Sequence, residues 1–141
     1  MKISARNQLS GTVSAVKEGA VNGVVTIKVG EQLVKSDITM EAIKDLGLAE
    51  GKQAIAIIKA SNVLVAAGSD RVTTISARNQ FPGTVAKINK GAVNGHVTIE
   101  IADGATITAS ITNEAIDDLG LSEGASAIAI VKATDVLVAV N

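Results

Sequence analysis

The chain has no cysteine and almost no aromatic side chains. The absence of cysteine excludes disulfides and thiolate metal sites. The single histidine, His96, cannot form a zinc site alone, and Val24 stands at the same place in the first copy of a repeat described below, which favours an ordinary half-exposed strand residue. Phe81 is the only aromatic residue, so the stacking platforms of single-stranded nucleic-acid-binding proteins are missing.

Long apolar runs and a large excess of one charge are also missing. The net charge is −1 with both signs interspersed, which leaves no broad basic face for a nucleic-acid backbone. No apolar run approaches the roughly 20 residues of a membrane span. No apolar segment of a secretory signal follows the first residues, Met-Lys-Ile-Ser. We therefore expect a soluble, cytoplasmic protein with neither a nucleic-acid nor a membrane partner.

What the chain does contain is an internal repeat. Ser-Ala-Arg-Asn-Gln occurs at residues 4–8 and again at 76–80. Around it, residues 3–28 match residues 75–100 at 17 of 26 positions. A period of about 70 residues is too long for a solenoid repeat and is typical of small domains in tandem. The sequence therefore predicts one module written twice.

The match continues through the second half of each module, but with a shifted offset. Residues 33–66 match residues 106–139 at 21 of 34 positions, and the offset grows from 72 to 73. The extra residue falls at the predicted turn Ala102-Asp103-Gly104, where an insertion is well tolerated. We predict a first module over residues 1–67, a linker over 68–72 and a second module over 73–141.

Each module is predicted to be all-β with one short helix. Thr39 is the expected helix N-cap, Glu41 lies in the first turn, and Gly47 is the expected C′ glycine. Five short strands surround this helix, three before it and two after it, an order that matches a five-stranded Greek-key barrel of the OB type. A β-sandwich is the alternative, although a module of this length is short for one. In the first module the predicted strands cover residues 11–17, 24–29, 32–37, 53–58 and 62–66.

The small module size also predicts oligomerisation. Each module has roughly 65–70 residues, which is near the lower limit for a self-sufficient core. Its apolar residues are almost all Val, Ile, Ala and Leu. Packing of module on module, or of chain on chain, would supply the missing buried surface.

Six motifs occur in the same order in both modules. They are Ser-Ala-Arg-Asn-Gln, Gly-Thr-Val, Gly-Ala-Val-Asn-Gly, Ile-Thr-x-Glu-Ala-Ile, Leu-Gly-Leu-x-Glu-Gly and Ile-(Ile/Val)-Lys-Ala-(Ser/Thr). Together they resemble the molbindin, or Mop, family in its two-module form. The resemblance implies an OB-like fold, a trimeric homo-oligomer and binding of molybdate or tungstate in the cytoplasm as a ligand, with no resident cofactor. It also implies that the sites lie between modules.

A tetrahedral oxyanion offers only hydrogen-bond acceptors, so its site must consist of donors. Arginine supplies a planar fork of N–H groups, lysine a point charge, and serine and threonine hydroxyls. The start of a helix supplies unpaired backbone N–H groups, here expected at residues 40–42. At Ala42 and Ala115 only the backbone N–H is available, since neither side chain has a hydroxyl. The candidate oxyanion-binding residues are Ser4, Ala5, Arg6, Asn7, Thr39, Ala42, Lys59, Ser61, Ser76, Ala77, Arg78, Asn79, Thr112, Ala115, Lys132 and Thr134.

The Gly-Ala-Val-Asn segments form a second class of candidate site. Glycine and asparagine favour backbone conformations that form anion-binding nests. In the family, some ligands lie on the threefold axis, where three copies of such a loop would surround one anion. A simple turn between two strands is the alternative interpretation. The residues concerned are Gly19, Ala20, Val21, Asn22, Gly91, Ala92, Val93 and Asn94.

The sequence favours a binding protein over an enzyme. Catalysis would need a nucleophile–base pair or a tuned carboxylate pair, and the chain has no cysteine and one unrepeated histidine. The resemblance to the molbindin family then implies intracellular storage, buffering or homeostasis of molybdate or tungstate. The alternatives are a structural oligomer and a nucleic-acid-binding OB-type oligomer.

Overall fold

The computed structural model describes residues 1–102 and 104–141, so Asp103 of the predicted turn lies outside the described residues. Within these residues the chain forms ten strands and two short α-helices. The first half comprises β1 (Asn7–Lys17), β2 (Asn22–Val29), β3 (Gln32–Thr39), α1 (Met40–Asp45), β4 (Gln53–Ile58) and β5 (Leu64–Ala67). The second half comprises β6 (Asn79–Lys90), β7 (Asn94–Ala102), β8 (Ala105–Thr112), α2 (Asn113–Asp118), β9 (Ser126–Val131) and β10 (Leu137–Ala139).

The two helices begin and end where the sequence predicts. Thr39 is the N-cap of α1, and its hydroxyl accepts a hydrogen bond of 3.1 Å from the N–H of Ala42. Gly47 ends the helix with a φ of 62°, a conformation that glycine adopts without a steric cost. Neither helix has the length or apolar character needed to cross a membrane, and no other helix of the described chain does.

The strands form two five-stranded antiparallel sheets, ordered β10-β4-β1-β2-β3 and β5-β9-β6-β7-β8. The predicted tandem of five-stranded OB-like barrels is confirmed, but the last strand of each half is exchanged. β10 pairs with β4, with Leu137 opposite Ile57, and β5 pairs with β9, with Leu64 opposite Ile130. The sequence placed each of these strands in its own module. Val-Leu-Val-Ala occurs in both halves, so the same apolar strand fits either sheet.

A single apolar core extends through both modules. Val25, Ile27 and Val34 of the first half belong to the same buried cluster as Phe81 and Val97 of the second half. Every one of these side chains is at most 1% exposed. The two modules are therefore one folding unit, in which burial of apolar surface is shared across the repeat.

Two buried asparagines connect the modules reciprocally. The side-chain amide of Asn7 accepts from the N–H of Thr108 at 2.8 Å and donates to its carbonyl at 2.9 Å. Asn79 makes the same pair of bonds to the backbone of Lys35, at 2.8 Å each. Asn7 is 3% exposed and Asn79 is 1% exposed. Each amide thus satisfies one backbone N–H and one backbone carbonyl on a strand of the other module.

Replacement of Asn79 by alanine is expected to lower the free energy of unfolding by about 2–3 kcal/mol, because the N–H and carbonyl of Lys35 lose their partners. Equilibrium unfolding in urea measures the change. Asn89→Ala, on an exposed position of the same strand, is the control and should be nearly neutral. Equal stability of the two variants would contradict a connecting role for Asn79.

Candidate functional site

The predicted arginines and lysines line two clefts where residues of both modules meet. The Arg6 cleft has a volume of about 390 Å³. It is lined by Ile3, Ser4, Ala5, Arg6, Ile57, Lys59, Ala60, Ser61, His96 and Leu137. The Arg78 cleft has a volume of about 170 Å³. It is lined by Asp37, Ser76, Ala77, Arg78, Lys132, Ala133 and Thr134.

Strand register explains why an arginine and a lysine distant in sequence come together. β1 and β4 are antiparallel, with Asn7 opposite Ile58. Arg6 immediately precedes Asn7 and Lys59 immediately follows Ile58, so the two positive residues lie at the same end of neighbouring strands. All four positive side chains of the two clefts are exposed within one chain. Two like charges held side by side favour the binding of an anion between them.

The second module repeats this arrangement through the register of its own strands. β6 and β9 are antiparallel, with Asn79 opposite Val131. Arg78 and Lys132 therefore lie at the same end of these strands, as Arg6 and Lys59 do in the first module. The clefts differ in the residues that the opposite module contributes.

A short 3₁₀ turn after each lysine adds backbone donors to the clefts. The first covers Ala60–Asn62, and its hydrogen bond runs from the Asn62 N–H to the Lys59 carbonyl, at 3.0 Å. Such a turn forms a hydrogen bond with the N–H of its third residue, whereas the N–H groups of Ala60 and Ser61 have no partner within the turn. The second turn, Ala133–Asp135, has the same geometry. The sequence analysis recognised the Ser61 and Thr134 positions but did not predict these turns.

Asn7 and Asn79 have a structural role within the chain that the sequence did not indicate. Both polar atoms of each side-chain amide are hydrogen-bonded to the backbone of the other module. Neither residue lines the Arg6 or the Arg78 cleft. Within the chain both side chains connect the two modules, and a contact of Asn7 or Asn79 with an oxyanion stays a prediction.

The helix starts also lie outside the two clefts. The N–H of Ala42 is bonded to Thr39, and the N–H of Met40 donates to the Val21 carbonyl at 2.8 Å. The second module repeats both bonds, with Ala115 donating to Thr112. The expectation of unpaired N–H groups at residues 40–42 is therefore wrong for Met40 and Ala42. Their donors are used within the chain, where Thr39 and Thr112 are the N-caps that accept from Ala42 and Ala115. A contact of these four residues with an oxyanion stays a prediction.

The second-class loops lie beside these helix starts. Asn22 pairs with Thr39 at the end of the β2–β3 ladder, and Asn94 pairs with Thr112. All eight residues of the two loops are exposed, and Val21 is 74% exposed. The described glycines with positive φ lie in other turns, so the glycines here do not supply the left-handed residue of a nest. A Cβ on Gly19 would lie 2.3 Å from the Asn22 carbonyl oxygen, which explains the need for glycine.

The opposite module contributes a different residue to each cleft. His96, on β7, lines the Arg6 cleft, whereas Asp37, on β3, lines the Arg78 cleft. The sequence analysis interpreted His96 as an ordinary strand residue and did not consider Asp37. Both positions differ between the two copies, and only the packing of one module on the other reveals that they face the sites.

A family profile described as the TOBE domain matches residues 3–65 and 75–138. The molybdenum transport protein ModE of Herbaspirillum seropedicae is 44% identical over 142 residues, which cover 100% of this chain and 52% of that protein. The molybdenum-pterin-binding protein MopA of Rhodobacter capsulatus is 39% identical over 140 residues, with coverages of 99% and 52%. The chain thus spans about half the length of these relatives.

The fold has a close counterpart among solved structures. A crystal structure of the cytoplasmic molybdate-binding protein ModG, with molybdate bound, is 46% identical and has a TM-score of 0.95. The match covers 100% of both chains. Because the two TOBE matches span most of the sequence and the order of motifs is that of the molbindins, this chain belongs to the TOBE domain family, with two molbindin-type (Mop) modules in tandem.

Proposed function

We propose that this chain binds molybdate, and the related dianion tungstate, in the cytoplasm and serves to store or buffer the anion. The observation that carries the proposal is the duplicated Arg–Lys pair, held at the same end of neighbouring strands in each module. The similarity to ModG over the whole chain supports molybdate as the ligand. In this proposal residues 1–67 and 73–141, joined by 68–72, each supply one positive pair.

The chemistry of the clefts suits a tetrahedral dianion. Molybdate has four acceptor oxygens and no donor, and each cleft offers a guanidinium, an ammonium and two hydroxyls. In the Arg6 cleft the hydroxyls belong to Ser4 and Ser61, and in the Arg78 cleft to Ser76 and Thr134. These groups hold an anion, but they do not by themselves activate a nucleophile, so we infer a binding protein and not an enzyme.

Protonation and size provide the selectivity. Phosphate carries at least one proton at neutral pH, and a cleft whose polar side chains are all donors, as in the Arg6 cleft, has no acceptor for it. Sulfate is a dianion like molybdate but smaller, so it must be rejected by the distance between opposing donors. Molybdate and tungstate share charge and shape, and both are expected to bind.

Assembly of several chains completes the sites in this proposal. Exposed apolar residues occur at equivalent places in both modules: Ile3 and Ile75, Val21 and Val93, and Leu64 and Leu137, all between 41% and 74% exposed. Such repeated apolar positions are typical of surfaces that are covered in an oligomer. We infer a homotrimer, in which the helix starts and the second-class loops of one chain approach the clefts of another.

Arginine replacement tests the proposal. Arg6→Ala and Arg78→Ala are each expected to weaken molybdate binding at the affected cleft by about 10- to 100-fold, since a charged hydrogen bond contributes about 1.5–3 kcal/mol. Equilibrium dialysis with molybdate, with sulfate and phosphate as competitors, measures the affinity and the number of anions per chain. Light scattering on the same samples reports the oligomer.

The third arginine of the chain provides a matched control. Arg71 is exposed and lines neither cleft, so Arg71→Ala removes the same charge without touching the sites. Loss of binding in the two cleft variants, with binding in Arg71→Ala and the oligomer unchanged, supports the proposal. A wild-type protein that assembles but binds no molybdate would instead indicate a structural oligomer.

A further inference from the structure

The two clefts differ at one cross-strand pair of the opposite module. In the first module this pair is Val24 and Asp37, and in the second it is His96 and Ser110. Asp37 faces the Arg78 cleft, and His96 faces the Arg6 cleft. A carboxylate thus lines one cleft, and an imidazole lines the other.

Asp37 is held in the cleft with an unused acceptor. Its Oδ1 atom is buried and has no hydrogen-bond partner among the described residues. The positive groups around it are Arg78 and Lys132 in the Arg78 cleft, and Lys17 and Lys35 in the adjoining cleft. Within the described chain, none of these four lies within ion-pair distance of Asp37.

A carboxylate changes which anion such a cleft accepts. An ionised carboxylate only accepts hydrogen bonds, and so does a fully deprotonated oxyanion. The two groups therefore form no hydrogen bond with each other, and their like charges repel. An oxyanion that carries a proton, such as hydrogen phosphate, can donate a hydrogen bond from its O–H group to the carboxylate. The imidazole of His96 donates through a ring N–H in either protonation state, so the Arg6 cleft keeps its donor character.

We propose that Asp37 makes the two clefts unequal: the Arg78 cleft binds molybdate more weakly than the Arg6 cleft and prefers an oxyanion that carries a proton. This inference rests on the proposed function, because it assigns specificity to the same clefts. Asp37 acts as the specificity-determining residue. The consequence is that the two clefts of one chain form a tight site and a weak site for molybdate, and that phosphate competes only at the weak site.

The test exchanges the distinguishing residue between the modules. Titration of the full-length protein with molybdate should resolve two classes of site, and Asp37→Ser should tighten the weaker class by about tenfold. The reverse change, Ser110→Asp, adds a carboxylate beside His96 and should weaken the tight class. Hydrogen phosphate should compete at the weaker class in the wild type and lose that advantage in Asp37→Ser.

Arginine variants show which cleft holds the tight site and which holds the weak one, and a charge control tests whether the effect is specific to Asp37. The site remaining in Arg78→Ala should be the tight one, and the site remaining in Arg6→Ala the weak one. Asp45→Ser removes an exposed carboxylate from the end of α1 and should leave both classes unchanged. A wild type that binds molybdate in one class, or an Asp37→Ser variant with unaltered affinities, overturns the inference and leaves the proposed function standing. If Asp37→Ser does not fold, an unaltered tight class in Ser110→Asp overturns it equally.

Discussion

Replacement of Phe81 by alanine is expected to lower the free energy of unfolding by about 3–5 kcal/mol. Phe81 is the largest fully buried side chain of the described residues, with 1% of its surface exposed. It belongs to the cluster that runs through both modules, so the cavity left by its ring opens in a core that neither module can close by itself. Thermal unfolding should show a midpoint lower by roughly 10–20 °C.

The repeat itself supplies the control for Phe81. Leu9 occupies the same place in the first module and is 7% exposed, so a leucine is already known to fit this environment. Phe81→Leu should therefore retain much of the stability that Phe81→Ala loses. If the alanine variant were as stable as the leucine variant, the core around the ring would have collapsed to fill the space, contrary to the close packing assumed here.

Separation of the two halves is expected to change the oligomeric state. A fragment of residues 1–72 contains β1 to β5, but the strand that completes its sheet, β10, lies in the other half. Its own β5 pairs in the intact chain with β9, which is the counterpart of β4. Two copies of the fragment should therefore exchange β5 strands, each adding an edge strand to the β4 of the other.

Light scattering during size-exclusion chromatography checks this expectation by giving the mass of the fragment in solution. The expected mass is that of an even number of fragment copies, since each exchange involves two of them. A fragment of residues 1–63, which lacks β5, is the control and should not form this exchanged dimer, because it has no strand to add to the β4 of another copy. A folded monomer of residues 1–72 would show that β5 can turn back onto its own sheet, and the exchange would then not be required for folding.

The local features of the fold were predictable from sequence because their determinants are close in the chain. A threonine cap and a C′ glycine fix the bounds of α1, and repeated β-branched segments identify the strands. The exchange of β5 and β10 was not predictable in this way. Both strands contain Leu-Val-Ala and follow a 3₁₀ turn, so their own residues do not indicate which of the two sheets each strand joins.

The candidate site was predicted in part. Arg6 and Lys59 were recognised because both modules keep an arginine and a lysine at these positions, and the structure places them together in one cleft. Asn7 is kept in the same way, yet its amide joins the modules. Conservation between two copies therefore does not separate ligand contacts from structural contacts. Asp37 was overlooked and His96 was interpreted as an ordinary strand residue for the opposite reason, since the copies differ at both positions.

The exchange of strands also constrains the order of events during biosynthesis. Leu137 pairs with Ile57, so the first sheet acquires its edge strand only when residues 137–139 have left the ribosome. In the same way, the side-chain amide of Asn7 can form its hydrogen bonds only after Thr108, 101 residues further along, has been synthesised. Contacts so distant in sequence slow folding, because a long loop must close before the interaction forms. The emerging first half therefore stays incomplete until β10 has been synthesised, and until then its unpaired β4 edge can pair with a neighbouring nascent copy.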